Sequence, residues 1–184
     1  MPSYAKQAIE KSFLKILNEK PFSSITVKMI VDDCHVNRNS FYYHFQDIPD
    51  LLEELLVHSI DKIIENIPVD RPIGEGIESI LQNVVKNKRA ILHIWNSASR
   101  ESFEKQLMRA CDYVVCSYMK HFSEDVIAGE EEIALISNFL KCELFGQLMD
   151  WLNQDMSYDI VEHARVLVQF FDGTLQAAVN RSKN

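Results

Sequence analysis

The chain has 184 residues, 47% of them hydrophobic and 25% charged, ordinary globular values with length for one large domain or two small ones and a proper core. No apolar run approaches the roughly 20 residues of a membrane span, and Met1 to Ala8 is too polar for a secretory leader, so the sequence predicts a cytoplasmic protein with no membrane partner. The formal net charge of −8 lies wholly in residues 51–184, while residues 1–50 hold six Lys/Arg and six Asp/Glu, so overall acidity neither excludes nor supports a nucleic-acid surface at the N-terminus.

In chain order, Ala5, Ala8, Ile9, Ser12, Phe13, Ile16 and Leu17 make one apolar or small face of a first helix, which Pro21 ends. Thr26 is a candidate N-cap for a short helix through about Cys34, and Asn37 for another through about His44. Asp47 caps a fourth, with Pro49 in its first turn. Leu52, Leu55, Leu56, Ser59, Ile63 and Ile67 carry its face to Pro68. Pro68 to Gly76 reads as a joint, and further helices follow near 75–87, 88–96, 100–123, 130–153 and 157–180. Nothing alternates with period two, so the fold class is all-α, with about nine helices. The expected domains are residues 1–61 and 62–184.

The last two helices are apolar beyond the needs of a single stripe. In residues 133–152 thirteen of twenty positions are apolar, and in 160–179 twelve of twenty, whereas a surface helix buries one face of about 100°. A central helix of a monomer fits this, and so does a helix pair shared between a core and a second subunit. The sequence favours the homodimer, with Phe145, Leu148, Leu167, Phe170 and Phe171 as interface candidates.

Three short helices with a tight turn between the second and third make a helix-turn-helix layout. The third exposes Asn37, Arg38, Asn39, Ser40, Tyr42, Tyr43 and His44, with Phe41 and Phe45 on its inner face. Asn and Arg read base edges bidentately, and Ser, Tyr and His donate to phosphate. Tyrosines serve as uncharged phosphate donors where basic residues are few; Lys6, Lys28 and Arg38 are the cations nearest to hand. A helical hairpin with a core of aromatic residues fits the same stretch.

The segment FSSITVKMIVDDCHVNRNSFYYHFQDIPDLLEEL, Phe22 to Leu55, resembles the helix-turn-helix signature of the tetracycline-repressor (TetR) family of bacterial regulators. The likeness runs over about residues 5–57. Phe22 and Ile25 precede the second helix, Thr26 starts it and Ile30 is in its core. Val36 is in the turn, Phe41-Tyr42 and His44-Phe45 in the recognition helix, and Leu51-Leu52 just after. Beyond residue 60 the likeness is one of plan, a variable helical domain that holds a ligand and dimerises through its last two helices.

The resemblance implies a regulator, a repressor, that binds a palindromic operator in double-stranded DNA as a homodimer. It implies that Thr26, Tyr42 and His44 touch phosphates, with Lys28 as a further phosphate contact, and that Asn37, Arg38, Asn39, Ser40 and Tyr43 face the major groove. The chain departs from the family pattern at His35 and Asn39, where glycine is usual or frequent, and at Ile48, where a phosphate-binding lysine is common. It further implies a small apolar or amphipathic effector, for which His93, Trp95, Arg100, Cys142, Gln147 and Trp151, with Gln169, are polar groups amid apolar helices. Each of these also reads as a structural residue.

No nucleophile elbow, glycine-rich phosphate loop or HExxH is present, and five glycines are few for a phosphate cradle. The sequence therefore predicts no enzyme, no cofactor and no metal site. Glu130-Glu131-Glu132 reads as a helix start suited to the dipole, and Cys34, Cys111, Cys116 and Cys142 as reduced thiols. The rival function is a TetR-like coactivator working through a protein partner rather than a small ligand. Some relatives of the fold act in this way on sugar-kinase-type operons, with a kinase-like subunit as the sensor.

Overall fold

The computed structural model describes residues 4–65, 73–125, 129–171 and 173–174. Among these are nine α-helices and no strand: α1 (Tyr4–Glu19), α2 (Val27–Cys34), α3 (Arg38–His44), α4 (Ile48–Glu65), α5 (Ile73–Lys86), α6 (Lys88–Trp95), α7 (Arg100–Asp125), α8 (Glu130–Asn153) and α9 (Ile160–Phe170). A 3-10 turn, Phe22–Ser24, lies between α1 and α2. None of the described helices is long and apolar enough to cross a membrane. Much of the expected joint at Pro68–Gly76, Ile67, and most of the expected helix beyond 171 lie outside the described residues.

The chain forms two compact units. One comprises Met1–Asp61 with Asn87–Gln106, the other Lys62–Lys86 with Leu107–Asn184. In the first, α1 is the central element, packed on α2, α3 and α6. The expected inner face of α1 is the face it buries, through Ile9, Ser12, Phe13, Ile16 and Leu17. These meet Ile30, Val31, Phe41, Phe45, Leu51, Leu52, Ala90 and Ile94 in one core.

A boundary near residue 61 divides the sequence once, but α6 returns to the first unit because its polar ends fit the end of α1. The last carbonyls of a helix and the first N–H groups of the next need partners. Here the two helices supply each other. The His93 Nδ1 lies 2.7 Å from the Leu17 carbonyl oxygen, which fixes the proton on Nδ1. The Ala90 N–H donates to the Asn18 side-chain oxygen at 3.4 Å. Asn87, the N-cap position of α6, makes no side-chain cap bond of its own.

In the second unit α5 packs on α9, and Arg165 of α9 pairs with Glu78 of α5 at 2.8 Å. Between α8 and α9, Asp155 and Met156 both take positive φ, 54° and 53°. This costs non-glycine residues conformational energy, and packing offsets it: Met156 and Trp151 are buried, the Met156 N–H donates to the Trp151 carbonyl at 2.8 Å, and the Trp151 indole donates to the Tyr158 carbonyl at 3.0 Å. That turn occupies 154–158, and Asp159 then accepts from the Val161 and Glu162 N–H groups at 3.0 Å each. The last helix therefore begins at Ile160 rather than at the expected 157.

Candidate nucleic-acid interface

The second and third helices begin with side-chain caps. Thr26 Oγ1 accepts from the Met29 N–H at 3.3 Å, and Asn37 Oδ1 accepts from the Ser40 N–H at 2.8 Å, each satisfying a donor the helix leaves unpaired. Asn37 thus commits one lone pair of its side-chain oxygen to α3, and its amide group can donate to a duplex. The turn between the helices closes at His35, whose φ of 55° and ψ of 36° place it in the left-handed region, the conformation that glycine would supply without strain. After α3, Asp47 accepts from the Asp50 N–H at 2.9 Å and Asp50 from the Gln46 N–H at 2.8 Å, which fixes the start of α4.

α2 is anchored to α1 by a polar cluster at the edge of the core. The Ser12 hydroxyl is shared between the Ile30 carbonyl at 3.1 Å and Asp33 Oδ2 at 2.8 Å. The Lys15 ammonium donates to the other Asp33 oxygen at 2.5 Å. The Lys15 bond, aided by Ser12, holds the Asp33 carboxyl below its ordinary range, and the same pair raises Lys15.

α3 buries Phe41 completely and turns its polar side outward. Arg38, Asn39, Tyr42 and Tyr43 are exposed, and Ser40 and His44 are half-buried. Tyr42 packs edge-on against Phe41 at 5.4 Å between ring centroids, and Tyr43 edge-on against His44 at 4.9 Å. Thr26 and Lys28 are exposed at the start of α2. All nine sequence-predicted DNA residues thus lie on consecutive parts of the α2–turn–α3 segment.

Lys6 is drawn elsewhere, to an ion pair with Glu54 of α4 and a position 5.5 Å from the Phe45 ring centroid. Ile48 is half-buried against the core. The exposed cations of the segment are therefore Lys28 and Arg38. The cluster of Lys15, Asp33 and Ser12 was missed in the sequence, where only its Ser12 stood out as part of a face.

The six expected effector residues divide between the units. In the first, His93 holds α6 on α1, Trp95 is buried edge-on to Phe103 at 6.3 Å, and Arg100 lies 3.6 Å over the Trp95 ring while bonding Glu104 at 2.7 Å. In the second, Cys142 is exposed. Gln147 bonds Glu143 at 2.8 Å and lies 3.0 Å from His163 Nε2, and Trp151 fastens the α8–α9 turn. Gln169 is exposed. The second unit also has an open cleft of about 540 Å³ lined by Asp150, Gln154, Tyr158, Asp159, Glu162, His163 and Val166, none of them among those six.

Of the apolar residues of α8 only Trp151 and Leu152 are buried, and in α9 only Ile160. Leu135 is 71% exposed, Phe139 65%, Phe170 76% and Phe171 63%, so the single chain leaves a large apolar area in water. Phe145, Leu148 and Leu167 are half-buried.

Comparison with known proteins gives two family matches. The family described as bacterial regulatory proteins, tetR family, matches residues 14–55. One described as transcriptional regulator C-terminal region matches residues 73–173, more than half of the chain. A curated relative, the uncharacterized HTH-type transcriptional regulator YxbF of Bacillus subtilis (strain 168), is 24% identical over 175 residues, covering 91% of this chain and 44% of its own length. The chain thus spans less than half of that relative.

Among solved structures, the dihydroxyacetone kinase operon activator DhaS superposes with a TM-score of 0.79 at 13% identity, over 96% of this chain and 97% of that one. The fatty acid degradation regulator FadR of Bacillus halodurans gives 0.60 at 12%, over 92% and 95%. NalD, the secondary repressor of the MexAB-OprM efflux pump in Pseudomonas aeruginosa, gives 0.53 at 18%, over 90% and 92%. At identities this low the superpositions show a shared fold alone.

Proposed function

Because the chain belongs to the TetR family of bacterial transcriptional regulators, we propose that it is a homodimeric operator-binding protein, a repressor released from DNA by a small apolar or amphipathic effector. Residues 1–61 carry the DNA-binding function and 62–184 the sensing and dimerisation functions. The observation that carries this reading is α3: a helix held by a buried Phe41 on one side and presenting Arg38, Asn39, Tyr42 and Tyr43 to solvent on the other. Among the described residues those side chains make no hydrogen bond or ion pair, and they carry donors and acceptors that match duplex base edges and donors that match phosphates.

Dimerisation is supported by α8 and α9, whose apolar faces are mostly uncovered in one chain. A second copy related by a two-fold axis covers the same patch on both, and an obligate pair of this kind buries about 1,600 Å² or more. The test is selection from random-sequence duplex DNA. An inverted repeat with half-sites about one helical turn or a small multiple apart supports the reading; an unenriched pool refutes it.

A second reading is activation through a protein partner. It is favoured by the few cations of the α2–turn–α3 segment and by Ile48, half-buried where a phosphate-binding lysine is common; DhaS, which shares the fold, is described as an operon activator. A gel shift on the selected repeat, with and without a small-molecule panel, separates the two: release by a small molecule favours the repressor. The direction of change of a reporter behind the repeat gives the sign.

A further inference from the structure

Phe41 fixes how α3 is presented. Its ring is fully buried in the first unit's core, so the direction away from Phe41 is the one the helix offers to a duplex. At about 100° per residue, Asn39 and Tyr43 each lie within about 20° of that direction. Arg38 and Tyr42 fall about 80–120° to one side of it, and Ser40 and His44 by the same angle to the other. Exposure follows the same order. Tyr43 is 84% exposed, while Tyr42 is 57% exposed with its ring turned onto Phe41. Ser40 and His44 are half-buried. The centre of the face is therefore a carboxamide and a phenol, one helical turn apart, flanked on both sides by groups suited to phosphate.

Uncharged central residues restrict what the helix reads. A carboxamide donates to adenine N7 and accepts from the adenine N6 amino group. Against guanine it meets two acceptors, N7 and O6, so its own oxygen faces an oxygen. The Tyr43 ring is an apolar surface held out in water, and the apolar group of the major groove is the thymine 5-methyl. A rise of about 1.5 Å per residue sets the two side chains roughly 6 Å apart along the helix, less than two base-pair steps of about 3.4 Å.

We propose that Asn39 and Tyr43 are the base-reading pair, Asn39 taking an adenine and Tyr43 the methyl of a thymine within two steps of it, so that the centre of each half-site is A·T. This specificity rests on the operator-binding reading and deepens it.

The experiment uses the full chain and the inverted repeat recovered by selection, with deoxyuridine replacing each half-site thymine in turn. Wild type is expected to bind about fourfold more weakly per half-site at one such position, the worth of one lost methyl contact. Tyr43→Phe keeps that discrimination, and Tyr43→Ala binds the thymine and uracil duplexes alike. Asn39→Ala loses the preference for adenine at a neighbouring position by at least about fivefold. Both side chains are exposed, so the variants fold. Indifference of wild type to uracil at every position overturns the pairing, as does a guanine preference that disappears in Asn39→Ala, with the repeat still bound in either case. Failure to enrich any duplex overturns the operator-binding reading itself, and the pairing with it.

Discussion

Salt dependence of DNA binding follows from the few cations on the α2–turn–α3 segment. Lys28 and Arg38 are exposed there, Lys6 is engaged by Glu54, and Ile48 is half-buried against the core. The proposed symmetric dimer would bring four cations to the duplex. At about −0.9 per phosphate neutralised, log K falls with log salt at a slope of roughly −3.6, and affinity drops about 150-fold between 50 and 200 mM salt. Any phosphate held by the uncharged groups expected there, Thr26, Tyr42, His44 and backbone N–H groups, would release no counterion. Lys28→Gln removes two of the four cations from the dimer and is expected to bring the slope to about −1.8. The assay is a fluorescence-anisotropy titration of the selected repeat at five salt concentrations and pH 8, above the ordinary histidine range. A wild-type slope steeper than about −6, or an unchanged slope in Lys28→Gln, refutes the reasoning, since phosphate contacts would then come from cations outside this segment.

Three further outcomes are expected. His35→Gly relieves a left-handed residue and raises stability against urea by about 0.5–1 kcal/mol; a lower midpoint contradicts the strain. Lys15 and Ser12 hold the folded Asp33 carboxyl below its unfolded value of 3.8, so their contribution is full above that value and is lost as pH falls from there through the folded pKa. Asp33→Asn should therefore lower stability at neutral pH and flatten the acid limb of the stability curve below about pH 4, and an unaltered limb would show the cluster to be without effect. Phe170→Asp places a charge on the exposed apolar end of α9. It should cost the pair about 3–6 kcal/mol over two copies and yield a chain of 21.3 kDa by light scattering, whereas an intact dimer would exclude Phe170 from the seam.

Local chemistry was legible in the sequence and long-range pairing was not. Thr26, Asn37 and Asp47 stood out as caps because a cap bonds within three residues of itself, and each makes that bond, to Met29, Ser40 and Asp50. The buried face of α1 was legible because a helix repeats every 3.6 residues. Periodicity does not say which helix a face meets, so the return of α6 to α1 through His93 and Asn18, across more than seventy residues, left no sign. For the same reason His93, Trp95 and Arg100 stood beside Cys142, Gln147 and Trp151 as one group, although compact packing assigns them to different units. Lys6 read as an available cation until Glu54, far along the chain, came into contact with it. The nine residues expected at DNA could be grouped from the sequence because they lie close together in the chain, and two of them, Thr26 and Asn37, do the local work of capping.

The central claim, two chains on one inverted repeat through α3, is tested most directly by sedimentation of the 184-residue chain with a labelled duplex carrying the selected repeat. The prediction is a complex of two 21.3 kDa chains per duplex, formed in one step and lost in Asn39→Ala combined with Tyr43→Ala. A single chain per duplex, or a complex that survives both substitutions undiminished, contradicts it.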